Sequence, residues 1–302
     1  MALLELSDAG LYCPVGGFHI DPWKPVPRAV ITHGHSDHAR AGSAAYLCSP
    51  TCKPILELRL GAHHAIEALP FGEPTFINGV RVSLHPAGHL LGSAQVRVEY
   101  RGEVAVVTGD YKREPDPTAE PFEPVRCDLL VTECTFGLPV YRWRPQREVF
   151  GEINAWWRAN AAKGKTSLLF GYALGKAQRL LAGVDPAIGP ILVHGAVARL
   201  VECYRVAGIA LPELLPASVE HAMAHKGRAL VVAPPSAAGS TWARKFTPSS
   251  SAFASGWMAV RGVRRRRALD RGFVLSDHVD WPDLLQTIEE SGASRVWATH
   301  GF

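Results

Sequence analysis

ITHGHSDHARAGS, residues 31–43, places His33, His35, Asp37 and His38 within six residues. Neighbours on a helical surface fall three or four residues apart, so this spacing cannot set the four groups on one helix face. The stretch therefore reads as a loop. It follows the β-branched, apolar RAVIT, which reads as a buried strand, and Gly34 and Ser36 let the chain fold around a centre. Neutral imidazole is the commonest protein metal ligand and carboxylate suits divalent ions, so the expected guest is a metal, zinc by default. The competing reading, a solvated polar turn, fits less well, because such turns favour Asn, Gly, Ser and Pro over clustered histidines.

A single zinc takes about four ligands, one of them water in a catalytic site, so further donors are expected downstream. RVSLHPAGHLLGSAQVRVEY reads as strand, loop with His85 and His89, and strand; EVAVVTGDYKRE is an apolar run ending at Gly109 and Asp110. His278 follows in FVLSDHVDW and His300 in SRVWATHGF. Four strand ends carrying His or Asp suggest one rim of a sheet.

These segments carry a family resemblance. HGHSDH resembles the HxHxDH signature of the metallo-β-lactamase superfamily, AGHLLGSA its third ligand motif and TGD its fourth. TECTFG, LSDHVDW and ATHG resemble the motifs of the β-CASP branch, the nucleic-acid hydrolases that include Artemis-like DNA nucleases and messenger-RNA cleavage factors. DAGLYCPVGGFHIDPWKP, GYALGKAQRLL and SGWMAVRGVRRRRALDRGFVLSDHVDW resemble bacterial DNA-ligase-associated exonucleases. The resemblance runs along nearly the whole chain. It implies an α/β fold, an αββα metallo-β-lactamase sandwich with an inserted β-CASP α/β cap domain: residues 1–135 the first part of the sandwich, 136–262 the cap, 263–302 the returning part.

By the same resemblance His33, His35 and His89 hold one divalent metal ion, and Asp37, His38 and His300 a second, with Asp110 bridging. The ions are expected to be zinc, with manganese as the alternative. Asp21, in FHIDPW, matches the superfamily's first motif, where the carboxylate supports the ligand loop without ligating. Glu133 and His278 match two β-CASP motifs. A carboxylate behind an imidazole raises its pKa and fixes its orientation, so His278 is expected to protonate a departing oxygen. Read alone, Glu133 is a strand-end cap and His278 an ordinary helix-entry residue. His19, His63, His64, His194, His221 and His225 read as strand, loop or helix-surface positions, and His85 stays open because it shares a loop with His89.

Composition fits this class without selecting it. The chain has 302 residues with 47% hydrophobic content, enough for a large core and one or two domains. No long apolar run or targeting segment is legible, which leads to the expectation of a cytoplasmic protein. The six cysteines show no paired CxxC spacing; Cys48 and Cys52 are alternatives as ligands, but reduced, buried roles fit better. The net charge of +4 is compatible with a polyanionic partner. More telling is RGVRRRRALDR, where Arg264, Arg265, Arg266 and Arg267 precede the His278 motif and read either as a phosphate clamp or as a solvated face. YRWRPQR interleaves arginines with Tyr141 and Trp143, suiting base stacking or a packed linker equally. In GYALGK, Lys176 sits at a helix start whose backbone donors suit phosphate, or simply start a helix.

Residues 1 to about 135 read as strand-rich with two helical stretches, around KPILELRLGAHHAIEAL and just after HGHSDH; from about 136 helices and strands alternate, which argues a small parallel sheet. Three functions compete: a metal-dependent nuclease, a small-molecule metallohydrolase acting on a lactam or thioester, and an inactive scaffold. Only the first uses Glu133, His278 and the arginines. The resemblance implies DNA ends in repair as substrate, exonuclease action from a 5′ end, and a DNA ligase of the same pathway as partner. His300 points instead to RNA, since RNA-acting β-CASP members carry His at that motif and Artemis-like enzymes Val.

Overall fold

The computed structural model describes residues 2–260 and 269–300. These form two compact units, one of Met1–Arg142 with His278–Phe302 and one of Trp143–Asp277.

The first unit holds two six-stranded sheets. In one, β1 (Glu5–Ser7), β2 (Gly10–Cys13), β3 (Phe18–Ile20), β4 (Arg28–Val30), β5 (Ala45–Cys48) and β6 (Ala65–Ala68) lie in chain order. The other is built from β7 (Pro74–Ile77), β8 (Val80–Pro86), β9 (Ala94–Tyr100), β10 (Glu103–Val107), β11 (Leu129–Glu133) and β18 (Arg295–Thr299), in the order β18-β11-β10-β9-β8-β7. Alternation along the strands decides which faces meet. Val80, Val82, Leu84, Val96 and Val98 from the second sheet share one buried cluster with Phe18, Ile20, Val30 and Leu47 from the first, so the core lies between the sheets. The neighbours of Val30 point the other way: Ala29 and Ile31, with Tyr46 and Cys48, pack on Leu56 of α1 (Lys53–Leu60). On the second sheet Val106 and Leu130 turn outward to Ile288, which lies in the helix Trp281–Ser291. The layers therefore run helix, sheet, sheet, helix.

The second unit is the parallel βα sheet that its sequence pattern predicts. Its strands are β12 (Thr166–Phe170), β13 (Ile191–Val193), β14 (Leu215–Pro216), β15 (Leu230–Ala233), β16 (Ser249–Ala254) and β17 (Arg271–Phe273), in the order β14-β13-β15-β12-β16-β17, all neighbours parallel. Leu169 and Val232 face the helices Gln146–Ala162, Lys176–Gly183 and Gly195–Val206, while Leu168, Phe170 and Val231 face the opposite layer with Phe246 and Met258.

The compact units divide at 142/143 and 277/278, where the resemblance implies 135/136 and 262/263. The division follows packing: β17 pairs with β16, whereas Phe136 meets Tyr141 edge to face, and the Tyr141 carbonyl accepts from Trp281 N–H. Two expectations about local structure need correction. The helical reading of residues 61–69 fails, because Gly61 ends α1 at φ +106° and Ala65–Ala68 pairs with β5, tertiary pairing overriding helix propensity. After HGHSDH the chain forms turns, not a helix. Among the described residues no helix is long and apolar enough to cross a membrane.

Candidate metal centre

Loops from both sheets supply the proposed ligands, not one rim. The loop after β4 carries His33, His35 and His38; the β8–β9 connection carries His89; Asp110 follows β10 and His300 follows β18. The two sheets' loops come together at Gly109, whose φ is +56° and where an added Cβ would lie 2.6 Å from the Thr32 side chain. Only glycine combines that left-handed backbone with so close an approach.

Of the side-chain groups with metal-competent spacing among the described residues, two contain the expected ligands and overlap; a further one joins Asp110 to Glu133 and His278. The candidate ligand atoms of His33, His35, His89 and Asp110 lie within 4.8 Å of one another, as do those of His38, Asp110 and His300, so Asp110 belongs to both. His35 Nδ1 is 3.1 Å from His33 Nε2 and 3.2 Å from His89 Nε2, and Asp110 Oδ2 is 3.5 Å from His33 Nε2 and 3.8 Å from His89 Nε2. A tetrahedral site with bonds of roughly 2.0–2.1 Å has donor-to-donor edges of about 3.3 Å. A single ring nitrogen cannot make good hydrogen bonds to two others at once, so the spacing suits a shared cation. In the second group, His38 Nε2 is buried with no hydrogen-bond partner among the described residues, 3.5 Å from Asp110 Oδ2, and the His38 ring stacks 4.9 Å from that of His300. A buried imidazole nitrogen without a hydrogen-bond partner, facing a carboxylate, suits a cation as its partner. The donors therefore fit divalent metal of the zinc or manganese kind.

Asp21 presents these nitrogens. At φ +46°, in the left-handed region that Asp tolerates better than most residues, its Oδ1 accepts from Thr32 N–H (2.8 Å) and its Oδ2 from Thr32 Oγ1 (2.5 Å) and His38 Nδ1–H (2.7 Å). Thr32 has spent its one hydroxyl proton on Asp21, so toward His33 Nδ1, 3.1 Å away, it accepts. Both rings thus carry a proton on Nδ1 and turn the Nε2 lone pair inward, the tautomer assigned from the hydrogen-bond network.

Electrostatics follow from burial. Desolvation and the surrounding imidazoles hold His33 well below the usual histidine range, in the neutral ligating form. Burial pushes the Asp110 carboxyl up to about 6, with Glu133 adding to the effect against the pull of His38. For His38 burial works downward, but Asp110 and Asp21 outweigh it and raise the imidazole to about 9, so a cation bound at Nε2 takes the place of a proton there and the inward lone pair belongs to the metal-bound form.

Beside Asp110 stands the Glu133–His278 pair. His278 Nδ1–H donates to Glu133, 2.9 Å from Oε2 and 3.1 Å from Oε1, and the same nitrogen is 3.9 Å from Asp110 Oδ2. Glu133 is fully buried at the end of β11 and also accepts Tyr111 N–H at 2.8 Å, while His278 keeps 20% side-chain exposure. The carboxylate fixes the ring so that Nε2 is the nitrogen turned away from it.

Not every predicted residue joins. Asp37 is 64% exposed and 3.9 Å from His38 Nε2, outside both groups. His85 ends in β8, bonded to Ser83 and Glu123. No cysteine joins a metal-competent group among the described residues. Lys176 is no surface phosphate contact: it is buried, with Nζ donating to Leu275 O (2.8 Å) and paired with Asp277 (2.9 Å). Its role is to tie the segment after β17 to the helix it begins. Arg264, Arg265, Arg266 and Arg267 lie outside the described residues. Sequence reasoning misses Thr32, because a hydroxyl next to a histidine has no pattern of its own. It also misses Arg59, whose guanidinium donates to Gly34 O in the HGHSDH loop, because Arg59 comes from a separate helix.

No protein-family model matches the chain. It is 34% identical over 295 residues, 97% of its length, to a protein named probable DNA ligase from Opitutus terrae, and 29% identical over 198 residues, 57% of its length, to the endoribonuclease ysh-1 of Neurospora crassa. The chain spans only 28% and 22% of those relatives. A protein of unknown function from Enterococcus faecalis shares the fold at TM-score 0.63 and 12% identity, over 91% of this chain and 75% of that one. Because the ysh-1 endoribonucleases are β-CASP proteins and the likeness to the Opitutus protein runs almost end to end, this chain belongs to the β-CASP branch of the metallo-β-lactamase superfamily.

Proposed function

We propose that this chain is a metal-dependent phosphodiester hydrolase, its first unit an αββα metallo-β-lactamase sandwich and its second an inserted β-CASP domain. The observation that carries the reading is the Glu133–His278 pair set 3.9 Å from Asp110, since a hydrolase of lactams or thioesters has no need of it. When bound, divalent cations at the His33/His35/His89/Asp110 and His38/Asp110/His300 groups supply a water of lowered pKa and offset phosphate charge. The chain's own residues do the rest. His278, held by Glu133 through Nδ1, offers Nε2–H to the leaving oxygen as the P–O bond breaks, and Glu133 stabilises the ring's charge before transfer. Asp21 and Thr32 keep the His33 and His38 lone pairs inward. Asp37, exposed beside His38, is assigned to the rim of the second group. Arg264, Arg265, Arg266 and Arg267 are assigned to phosphate binding along the bound strand.

The substrate class we favour is DNA ends in repair, with exonuclease action from the 5′ end, supported by similarity along 97% of this chain to part of a protein named probable DNA ligase. The same reading assigns the protein to the cytoplasm and makes a DNA ligase of the same repair pathway its partner, sealing what it trims. A second reading, an RNA-processing ribonuclease, is favoured by His300 at the last β-CASP motif and by a relative named as an endoribonuclease. Incubation of purified protein with zinc or manganese and end-labelled DNA, matched RNA, a lactam and a thioester tests the set. Stepwise loss of mononucleotides from DNA 5′ ends is the expected result; much faster degradation of RNA selects the second reading, and turnover of the small molecules alone removes both.

A further inference from the structure

The loop carrying His89 is fastened to the rest of its unit through a residue that no motif marks. Gly92, three residues after His89, has φ +74°, and a Cβ there would lie 2.3 Å from Cys52 N, so backbone packs on backbone. Both sides of the glycine's polar backbone are engaged: its N–H donates to Glu120 Oε2 at 2.8 Å, and its carbonyl accepts from Ser49 Oγ at 2.6 Å. Glu120 Oε1 in turn accepts from Thr51 Oγ1 at 2.5 Å. One carboxylate thus spans the His89 loop and the turn that leads into α1. Within the loop, Ser93 Oγ accepts from His89 N–H (3.0 Å) and Leu90 N–H (3.2 Å), which ties the His89 backbone to the residue next to Gly92. The opposite end of α1 supplies Arg59, which donates to Gly34 O between His33 and His35. The turn and helix at residues 49–59 are therefore a common wall for both ligand-bearing loops, and Glu120 is the charged link on the His89 side.

Resting on the metal-centre reading above, we propose that Glu120 is a positioning residue that registers His89 against His33 and His35. It touches no ligand atom; it acts through Gly92. Charge-assisted bonds to a backbone N–H and a hydroxyl are shorter and stronger than neutral ones, which suits a fastener on an otherwise irregular loop. Loss of such outer-shell support commonly costs roughly 10- to 100-fold in metal affinity.

The test uses the full chain loaded with cobalt(II), whose visible absorption reports ligand geometry. Glu120→Ala is expected to release cobalt to a chelator at least about tenfold faster than the parent and to show an altered absorption band, with unchanged far-ultraviolet circular dichroism. Glu120→Gln can still accept from Gly92 N–H through its carbonyl and donate to Thr51 Oγ1 through its amide, and is expected to stay within about threefold of the parent. Should Glu120→Ala not fold, Glu120→Asp replaces it: one methylene shorter, it keeps the charge but cannot reach both partners, and the same loss is expected. Parent-like release and spectrum in the alanine or aspartate variant overturn the proposal, as does a glutamine variant as impaired as alanine. A parent protein that takes up no cobalt instead overturns the metal-centre reading itself.

Discussion

Two single residues separate acid from ligand. His278 bonds to Glu133 through Nδ1 and is proposed to give a proton, so His278→Ala is expected to keep metal content and fold while cutting turnover by about 10²- to 10⁴-fold. A nitrophenyl phosphodiester, whose leaving group needs little protonation, is expected to recover much of that loss. Asp110→Ala is expected to lose metal as well, because Asp110 belongs to both ligand groups, and the activated ester should rescue nothing. Elemental analysis beside steady-state rates checks both; an Asp110 variant that retains full metal contradicts the assignment. Asp21 supplies a third contrast. Asp21→Ala removes the acceptor for Thr32 and His38 and puts alanine at φ +46°, whereas Asp21→Asn keeps an acceptor and tolerates that backbone, so chelator challenge should strip the alanine variant far faster.

At the scale of elements, close approach of backbones sets the tolerances. Gly109→Ala is expected to cost more than about 1 kcal/mol, since the new Cβ lies 2.6 Å from Thr32 at a left-handed φ, and urea titration measures it. In the second unit the helix Lys176–Gly183 and the segment following β17 are joined by the buried Lys176–Asp277 pair and by Arg179 donating to Ser276 O at 3.1 Å. Removing one member of a buried pair strands the other, so Lys176→Ala is expected to destabilise by about 3–5 kcal/mol. A stability loss of less than about 1 kcal/mol, with weakened nucleic-acid binding, would restore the surface phosphate role that its burial argues against.

For the molecule as a whole, a net charge of +4 is too small to attract nucleic acid strongly without local clusters. Replacing Arg264, Arg265, Arg266 and Arg267 by alanine is expected to flatten the dependence of DNA affinity on salt by roughly one unit of slope for each phosphate that is no longer neutralised. An unchanged slope assigns the run to a solvated face.

Much of the candidate metal cluster is legible from sequence because ligands need particular side chains at short spacings: His33, His35 and His38 sit in one loop, and His89 and Asp110 lie in loops just after strands that announce themselves by their apolar residues. The parallel sheet of the second unit is equally plain, each strand being a short β-branched run between amphipathic helices. What the sequence could not decide is how segments far apart in it pack together. Whether residues 65–68 join a helix or a sheet depended on the free edge of β5, and the fate of Lys176 on Asp277, far along the chain. Asp37 looks like its histidine neighbours in the motif, yet the turn leaves its side chain 64% exposed. Glu120 has no signature at all, because its role is created only where an irregular segment meets a glycine that packs against the turn before α1. Local chemistry is written in residue type and spacing; the tertiary structure alone decides which groups are buried together and which backbone atoms they must satisfy.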